Sequence, residues 1–405
     1  MNTPELLAPA GGLRQLKAAV RFGADAVYLG LERFGMRAHA GNFDRDALLQ
    51  AVSYAHEHGV KVYLTLNIFP YDEDIPLLTD DAAFAHDAGV DALIMSDPGA
   101  IMSVRDSIPD MPIHLSTQAD TLNAASVRFW HANGIKRIVL ARELSLDRIR
   151  RIHESIPPDC EIETFVHGAV CMAYSGRCAL SKHLTGRDAN RGDCAQACRW
   201  RYVLEEEKRP GQYFPVEENT RGTAIFSAGD MNLISRLDEL CSAGICSFKI
   251  EGRMKNEFYV ATVVGAYRRA LNAIRNNRYT REVRQALSDE LDTISHRPYD
   301  TGFYFGEPER PGGNEGLTQT KEFAGIVLDS RDGRISVKLK CAVSEGETLE
   351  LLTPSGVYAF SVDDLRLESG EPIARCAVPD AIVTMTLPFP CEGGDLLRCE
   401  NKNHR

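Results

Sequence analysis

No run of the chain approaches the about eighteen consecutive apolar residues that a membrane-spanning helix needs. The opening MNTPELLAPAGG has neither the basic cluster nor the apolar core of a secretion signal. The expectation is a cytoplasmic protein, in a compartment where thiols stay reduced. Excess positive charge is also missing: the formal net charge is −11, which argues against a protein that coats nucleic acid non-specifically. Three catalytic signatures are absent as well. No H-E-x-x-H zinc site and no G-x-S-x-G nucleophile elbow occurs, and no G-x-G-x-x-G loop follows the first strand-like run.

What the chain does have is cysteine in one place. Between His167 and Tyr202, Cys171, Cys178, Cys194 and Cys198 follow the spacing C-x6-C-x15-C-x3-C. Thiolates are soft ligands, and four of them suit zinc or an iron–sulfur cluster. Zinc knuckles present two tight hooks, whereas only the second pair here is tight, which favours iron–sulfur. Four thiolates fit either a 2Fe–2S or a 4Fe–4S cluster, and 4Fe–4S is the expected one. The plainer alternative is buried or bridged cysteines, but these four sit among Gly, Arg, Asp and Asn rather than in apolar runs. The remaining seven cysteines are scattered and read as core or surface thiols.

Charge reverses locally in the same block. Arg177, Lys182, Arg187, Arg191, Arg199 and Arg201 face only Asp188 and Asp193. Screening acts beyond about 8–10 Å, so a basic patch on an acidic protein can still grip phosphates. Arg177, Lys182, Arg187 and Arg191 are the candidate nucleic-acid contacts; the alternative is a solvated loop.

Residues 1–305 are organised by a recurring phrase. An amphipathic helical stretch ends in glycine (Gly23, Gly59, Gly89, Gly134, Gly244) and a short apolar run follows. Eight such runs are present: ELLAPAG, DAVYLGLE, KVYLTLNIF, DALIMSD, PIHLSTQA, RIVLARE, EIETFVHG and SFKIEGR. Nearly continuous apolar strands alternating with helices indicate a parallel α/β fold, and eight of them predict a (β/α)8 TIM-like barrel. An open doubly wound sheet is the alternative. The cysteine-rich insertion, residues 171–230, follows the seventh strand and includes a hairpin turning at Pro210–Gly211. Residues 306–317 (GEPERPGGNEGL) read as a linker, and 318–405 as a small antiparallel β-barrel domain of short alternating strands.

Chemistry in such barrels sits at the C-terminal ends of the strands. Those ends carry Asn67, Asp97, Gln118, Arg142, Glu143, His167, Glu251 and Arg253, the candidate catalytic set. Each has a plainer reading, Asp97 before Pro98 as a helix cap for example, but eight polar groups exceed what packing needs. Arg253 stands two residues after Glu251, so the two are expected to share a face and pair.

HGAVCMAYSGRC, GDCAQACRW and SFKIEGRMKN, with PELLAPAG, GADAVYLG, MSDPG and MPIHLSTQA before them, resemble peptidase family U32, the collagenase-like family. The likeness runs through nearly the whole chain and is closest to the bacterial tRNA-hydroxylating branch. Other members carry a cysteine near position 231, where this chain has Met231. The resemblance implies an iron–sulfur enzyme that forms 5-hydroxyuridine at the tRNA wobble position without oxygen, with prephenate as co-substrate. Arg142, Arg177 and Arg253 would supply the forked donors a small dicarboxylate needs. A peptidase with a His167–Cys171 pair, a hydroxylase of another RNA or small aromatic, and a non-catalytic metal-dependent RNA-binding protein are the alternatives.

Overall fold

The structure, a computed structural model, describes residues 3–401 apart from 39, 172, 201–228 and 307–316. The expected hairpin at Pro210–Gly211 and most of the expected linker lie outside the described residues. Strands β1 (Glu5–Pro9), β2 (Ala26–Leu29), β3 (Lys61–Thr65), β4 (Ala92–Met95), β5 (Ile113–Leu115), β6 (Arg137–Val139) and β7 (Glu161–Ala169) pair in sequence, all parallel. A short strand, β8 (Asp230–Asn232), precedes β9 (Ser247–Ile250), and β10 (Tyr299–Asp300) follows. β9 pairs in parallel with both β7 and β1, closing a ring of eight strands and ruling out the open sheet.

Every one of the eight apolar runs supplies one barrel strand. The glycine before five of them lies at positive φ: Gly23, Gly59, Gly89, Gly134 and Gly244. That left-handed turn costs glycine little and ends each helix sharply enough for the next strand to enter the ring. Alternation along the strands then sorts the side chains. Leu6 and Ala8 pack under the helices, while Leu7 joins Ala26, Tyr28, Tyr63, Ala92 and Ile94 inside the barrel. The N-terminal ends of the strands hold an ion network. Arg137 bridges Glu5 at 2.5 Å and Glu161 at 2.6 Å, and Glu163 meets Lys249 at 2.9 Å.

β7 outlasts its neighbours. Its last residues leave the ring and pair antiparallel with β8, Ala169 opposite Asp230 and His167 opposite Asn232. The cysteine block is thereby carried on a two-stranded stem at the C-terminal face. β10 adds to β8 outside the ring.

The C-terminal region forms a seven-stranded antiparallel sheet from Lys321–Arg331, Arg334–Leu339, Thr348–Thr353, Gly356–Ser361, Asp363–Leu367, Ile382–Thr386 and Leu396–Glu400. Phe360 and Leu365, from its two edge strands, join one apolar cluster, so the sheet curls over its own core. Arg398 ties it to the barrel, reaching Glu290 at 2.7 Å and Glu350 at 2.7 Å. Phe323 stacks on Phe258 with ring centres 5.5 Å apart. No helix among the described residues is long and apolar enough to cross a membrane.

Candidate active site

The mouth at the C-terminal ends of the strands is built around Arg253. Its side chain is buried, donating to Thr65 Oγ1 at 2.8 Å and Asn42 Oδ1 at 2.6 Å. Gly30, just past β2, makes room for it: a Cβ there would lie 2.3 Å from Arg253 Nη2. Burial lowers the pKa of Arg253 to about 10, with Tyr28 opposing and Arg37 adding to the shift. Its Nε finds no hydrogen-bond partner among the described residues.

Glu251 does not pair with Arg253, as its position had suggested. It lies 3.4 Å from Arg37 and 3.8 Å from Arg142 instead, while the Arg253 fork turns to Thr65 and Asn42. Burial alone would push the Glu251 carboxyl up, but Arg37, Arg142, Arg253 and Lys249 outweigh it and hold the group below the ordinary range. Arg142 lies over the Phe165 ring at 4.0 Å, and its Nε is a second buried donor without a partner among the described residues. Two guanidinium groups thus approach one carboxylate, with the Arg253 charge acting on it as well.

Asn67 and Gln118 form a separate polar patch. Asn67 Nδ2 donates to Gln118 Oε1 at 2.8 Å and to Ser116 Oγ at 3.3 Å, and Ser116 also donates to Gln118. Asp97 caps the helix Pro98–Ser107, accepting from the Ala100 amide at 2.9 Å. That contact is the helix-cap reading and places no ligand against Asp97. Glu143 reaches up, accepting from the Ser175 amide at 2.7 Å and from its hydroxyl at 3.1 Å.

His167 faces away from the mouth. A bulge between Phe165 and His167 shifts the register of β7 against β9, and a one-residue slip turns a side chain to the other face. Its ring sits among Tyr259, Tyr267 and Tyr299 at centroid distances of 5.5–6.1 Å. Burial lowers its pKa to about 3, against an opposing pull from Asp230.

The four thiols of the cysteine block sense one another. Burial raises the Cys198 thiol; Arg199 opposes, and Cys171, Cys194 and Cys178 add to the rise. Among the described residues no three of these four bring their sulfurs within 4.8 Å of one another. The loops around them are held in detail. Asn190 accepts from the Cys178 amide and donates to its carbonyl, both at 3.0 Å, and the Gln196 amide points at Cys194 Sγ at 3.4 Å. Ser175 and Gln196 adopt positive φ without being glycine. Elsewhere, in the C-terminal sheet, Glu322, Cys341 and Cys399 bring ligand atoms within 4.8 Å of one another, close enough to share one ion.

All four basic candidates are ion-paired. Arg177 meets Asp120 at 2.8 Å, Lys182 meets Asp188 at 2.9 Å, Arg187 meets Asp193 at 2.7 Å and Arg191 meets Asp74 at 2.6 Å. Arg177 also donates twice to the Gln118 carbonyl, and Arg191 to that of Phe69. These two arginines therefore dock the block onto the barrel, and Arg177 is engaged away from Glu251. Sequence reading missed Arg37, Asn42, Thr65 and Ser116. The signal for the first two was a loop after β2 with Gly30, Gly35 and Gly41, a glycine-rich excursion at the face where barrels do chemistry.

With its parallel barrel, cysteine-rich excursion and C-terminal sheet, the chain belongs to peptidase family U32. The profile of that family matches residues 11–314, and that of the peptidase family U32 C-terminal domain matches 319–398. The chain is 36% identical to tRNA hydroxylation protein P of Escherichia coli (strain K12), covering 96% of this chain and 94% of that protein. It is 37% identical to tRNA hydroxylation protein P1 of Bacillus subtilis (strain 168), over 98% and 94%. A 23S rRNA 5-hydroxycytidine synthase of Escherichia coli (strain K12) is 41% identical, over 91% of this chain and 55% of that one.

Proposed function

We propose that this chain hydroxylates RNA: it converts a tRNA wobble uridine to 5-hydroxyuridine in the cytoplasm, without oxygen, using a cluster on Cys171, Cys178, Cys194 and Cys198. The names of its relatives support RNA hydroxylation; the resemblance set out above supplies the wobble uridine and the oxygen-independent chemistry, and the residues support a metal centre beside a cationic barrel mouth. Cys171, Cys178, Cys194 and Cys198 are free thiols in one block, a donor set that suits the four corners of a 4Fe–4S cluster. When bound, such a cluster supplies an electron-transfer centre or an iron Lewis acid.

The observation that carries the proposal is the charge imbalance of the mouth. Arg37, Arg142 and Arg253 outnumber Glu251, and two of the three keep a buried donor unpaired. Buried cations without counter-charges are costly, so the mouth suits an anionic ligand with two carboxylates. Prephenate, a small dicarboxylate, is the proposed hydroxyl donor. Arg142 would meet its carboxylates and Arg253 would add its charge and its unpaired Nε, while Arg37 holds Glu251 in place. An anticodon-loop base is already unpaired, so drawing it toward the mouth costs little.

The peptidase reading lacks comparable support. His167 is enclosed by tyrosines, and no hydrogen bond joins it to Cys171 among the described residues. The test is nucleoside analysis of tRNA from cells lacking this gene. Disappearance of 5-hydroxyuridine-type nucleosides, restored by the wild-type chain and not by Arg253→Ala of equal melting temperature, is expected. Unchanged tRNA in the deletion strain would refute the function.

A further inference from the structure

A second recess lies beside the mouth, between the loop after β3 and the cysteine block. It measures about 470 Å³ and is lined by Phe69, Tyr71, Lys182, His183 and Arg191, among others. Tyr71 is 52% exposed although the Arg191 guanidinium covers one side of its ring at 4.6 Å. Asp74 fixes this arrangement, accepting from the Tyr71 amide at 2.8 Å and from Arg191 at 2.6 Å. The aromatic face is thus held open rather than left to fold back onto the surface.

The recess is part of a wider pattern. Among the described residues, the large exposed aromatic side chains are Tyr71, Phe129, Tyr174, Trp200 and Tyr358, and three of the five stand in or against the cysteine block. An exposed aromatic ring at the edge of a cationic recess marks a contact surface. Beside Tyr71 stand Lys182 and Arg191, each held by its own carboxylate. Aromatic faces between cationic side chains are how proteins hold single-stranded nucleic acid: the bases stack and the cations follow the backbone.

Resting on the RNA-directed reading above, we infer that the Tyr71–Arg191 recess binds one unpaired nucleobase next to the nucleotide presented to the mouth. The base stacks on the open face of Tyr71, and Lys182 and His183 lie at the level of its phosphates. The site makes no base-edge code of its own. It selects for a nucleotide that is unstacked, which restricts the enzyme to loops.

The test is binding of a short hairpin RNA with an unpaired loop to the full chain, purified anaerobically. Tyr71→Ala should weaken it about five- to hundredfold, the span of one base–aromatic stack. Tyr71→Trp should bind as tightly as wild type, and the salt dependence of Tyr71→Ala should be unchanged because no phosphate contact is lost. Abasic substitutions along the loop need no protein variant. One position should cost the wild type the same factor and cost Tyr71→Ala nothing more, the signature of a coupled pair. Wild-type binding with no sensitive abasic position, or with Tyr71→Ala indistinguishable, overturns the recess and leaves the hydroxylase reading standing. Failure of the wild-type chain to bind any hairpin overturns both.

Discussion

The Arg37 guanidinium reaches from the loop after β2 to within 3.4 Å of Glu251, just beyond the end of β9. Glu251 is the largest influence raising the pKa of Arg37; burial opposes it, and the thiols Cys171 and Cys194 act in the same direction as Glu251. One side chain thus joins the glycine-rich loop, the last barrel strand and the cysteine block. It stands between the proposed ligand pocket and the proposed cluster.

Removing that link should be felt at the ligand. Arg142→Ala is expected to weaken prephenate binding about ten- to hundredfold, the worth of a charged contact of about 1.5–3 kcal/mol, and Arg37→Ala by less, because it acts through Glu251. Titration calorimetry on anaerobic protein measures this directly. If Arg142→Ala binds like wild type, the dicarboxylate does not occupy this mouth.

The cysteines make a separate prediction. Serine at Cys171, Cys178, Cys194 or Cys198 should each abolish the broad visible absorption of protein purified under argon, with loss of iron and sulfide. Serine at Cys341 or Cys399 should leave that absorption intact. Stoichiometric zinc without sulfide in the wild type would assign the block to a structural ion.

His167 predicts an acid limb in the stability curve. Its pKa is about 3 in the folded chain against the ordinary 6.5, so between those values the unfolded chain holds the extra proton. Stability is therefore fully present above pH 6.5 and falls as the pH drops toward 3, by up to about 4–5 kcal/mol. Burial also lowers His296, against Asp230 and Asp292 and with Lys255, and adds to the same slope. His167→Phe should flatten the limb without erasing it, as read from urea midpoints across pH. An unchanged slope would mean that the imidazole is protonated in the native barrel.

Arg398 is the hinge pin between the barrel and the C-terminal sheet. It is 3% exposed and holds Glu290 and Glu350 together. Arg398→Ala leaves the Glu290 carboxylate without its ion partner, while Glu350 keeps Lys321 at 2.7 Å, and should cost about 3–5 kcal/mol, seen as a lower melting temperature. A shift of less than a degree would show that the Glu290 carboxylate finds water or another partner.

The barrel was legible because its signal is local and repeated: eight apolar runs, five of them entered from a helix through a glycine. The cysteine block stood out because its four cysteines lie close in sequence. The mouth was harder. Position at a strand end marks a residue as a candidate, but Asp97 turns to a helix cap and His167 is rotated outward by a bulge that no residue pattern announces. The ion pairs that orient Arg177 and Arg191 use Asp120 and Asp74, partners brought near only by the closed ring. Arg37, which follows β2 while Glu251 follows β9, was invisible for the same reason. Pairing of Glu251 with Arg253, read from their spacing, fails because Gly30 opens a deeper slot for the guanidinium.

The stem made by β7 and β8 also bears on how such a protein can change. Because Ala169 and Asp230 face each other, the chain departs from and returns to the end of β7 at one point. To the eight strands, the excursion is closed off by that stem. Doubling the length of such an excursion adds only about 0.6 kcal/mol of closure entropy. Insertions there are tolerated by the barrel, and the excursion that carries the thiols is free to diversify as a cartridge on a constant socket.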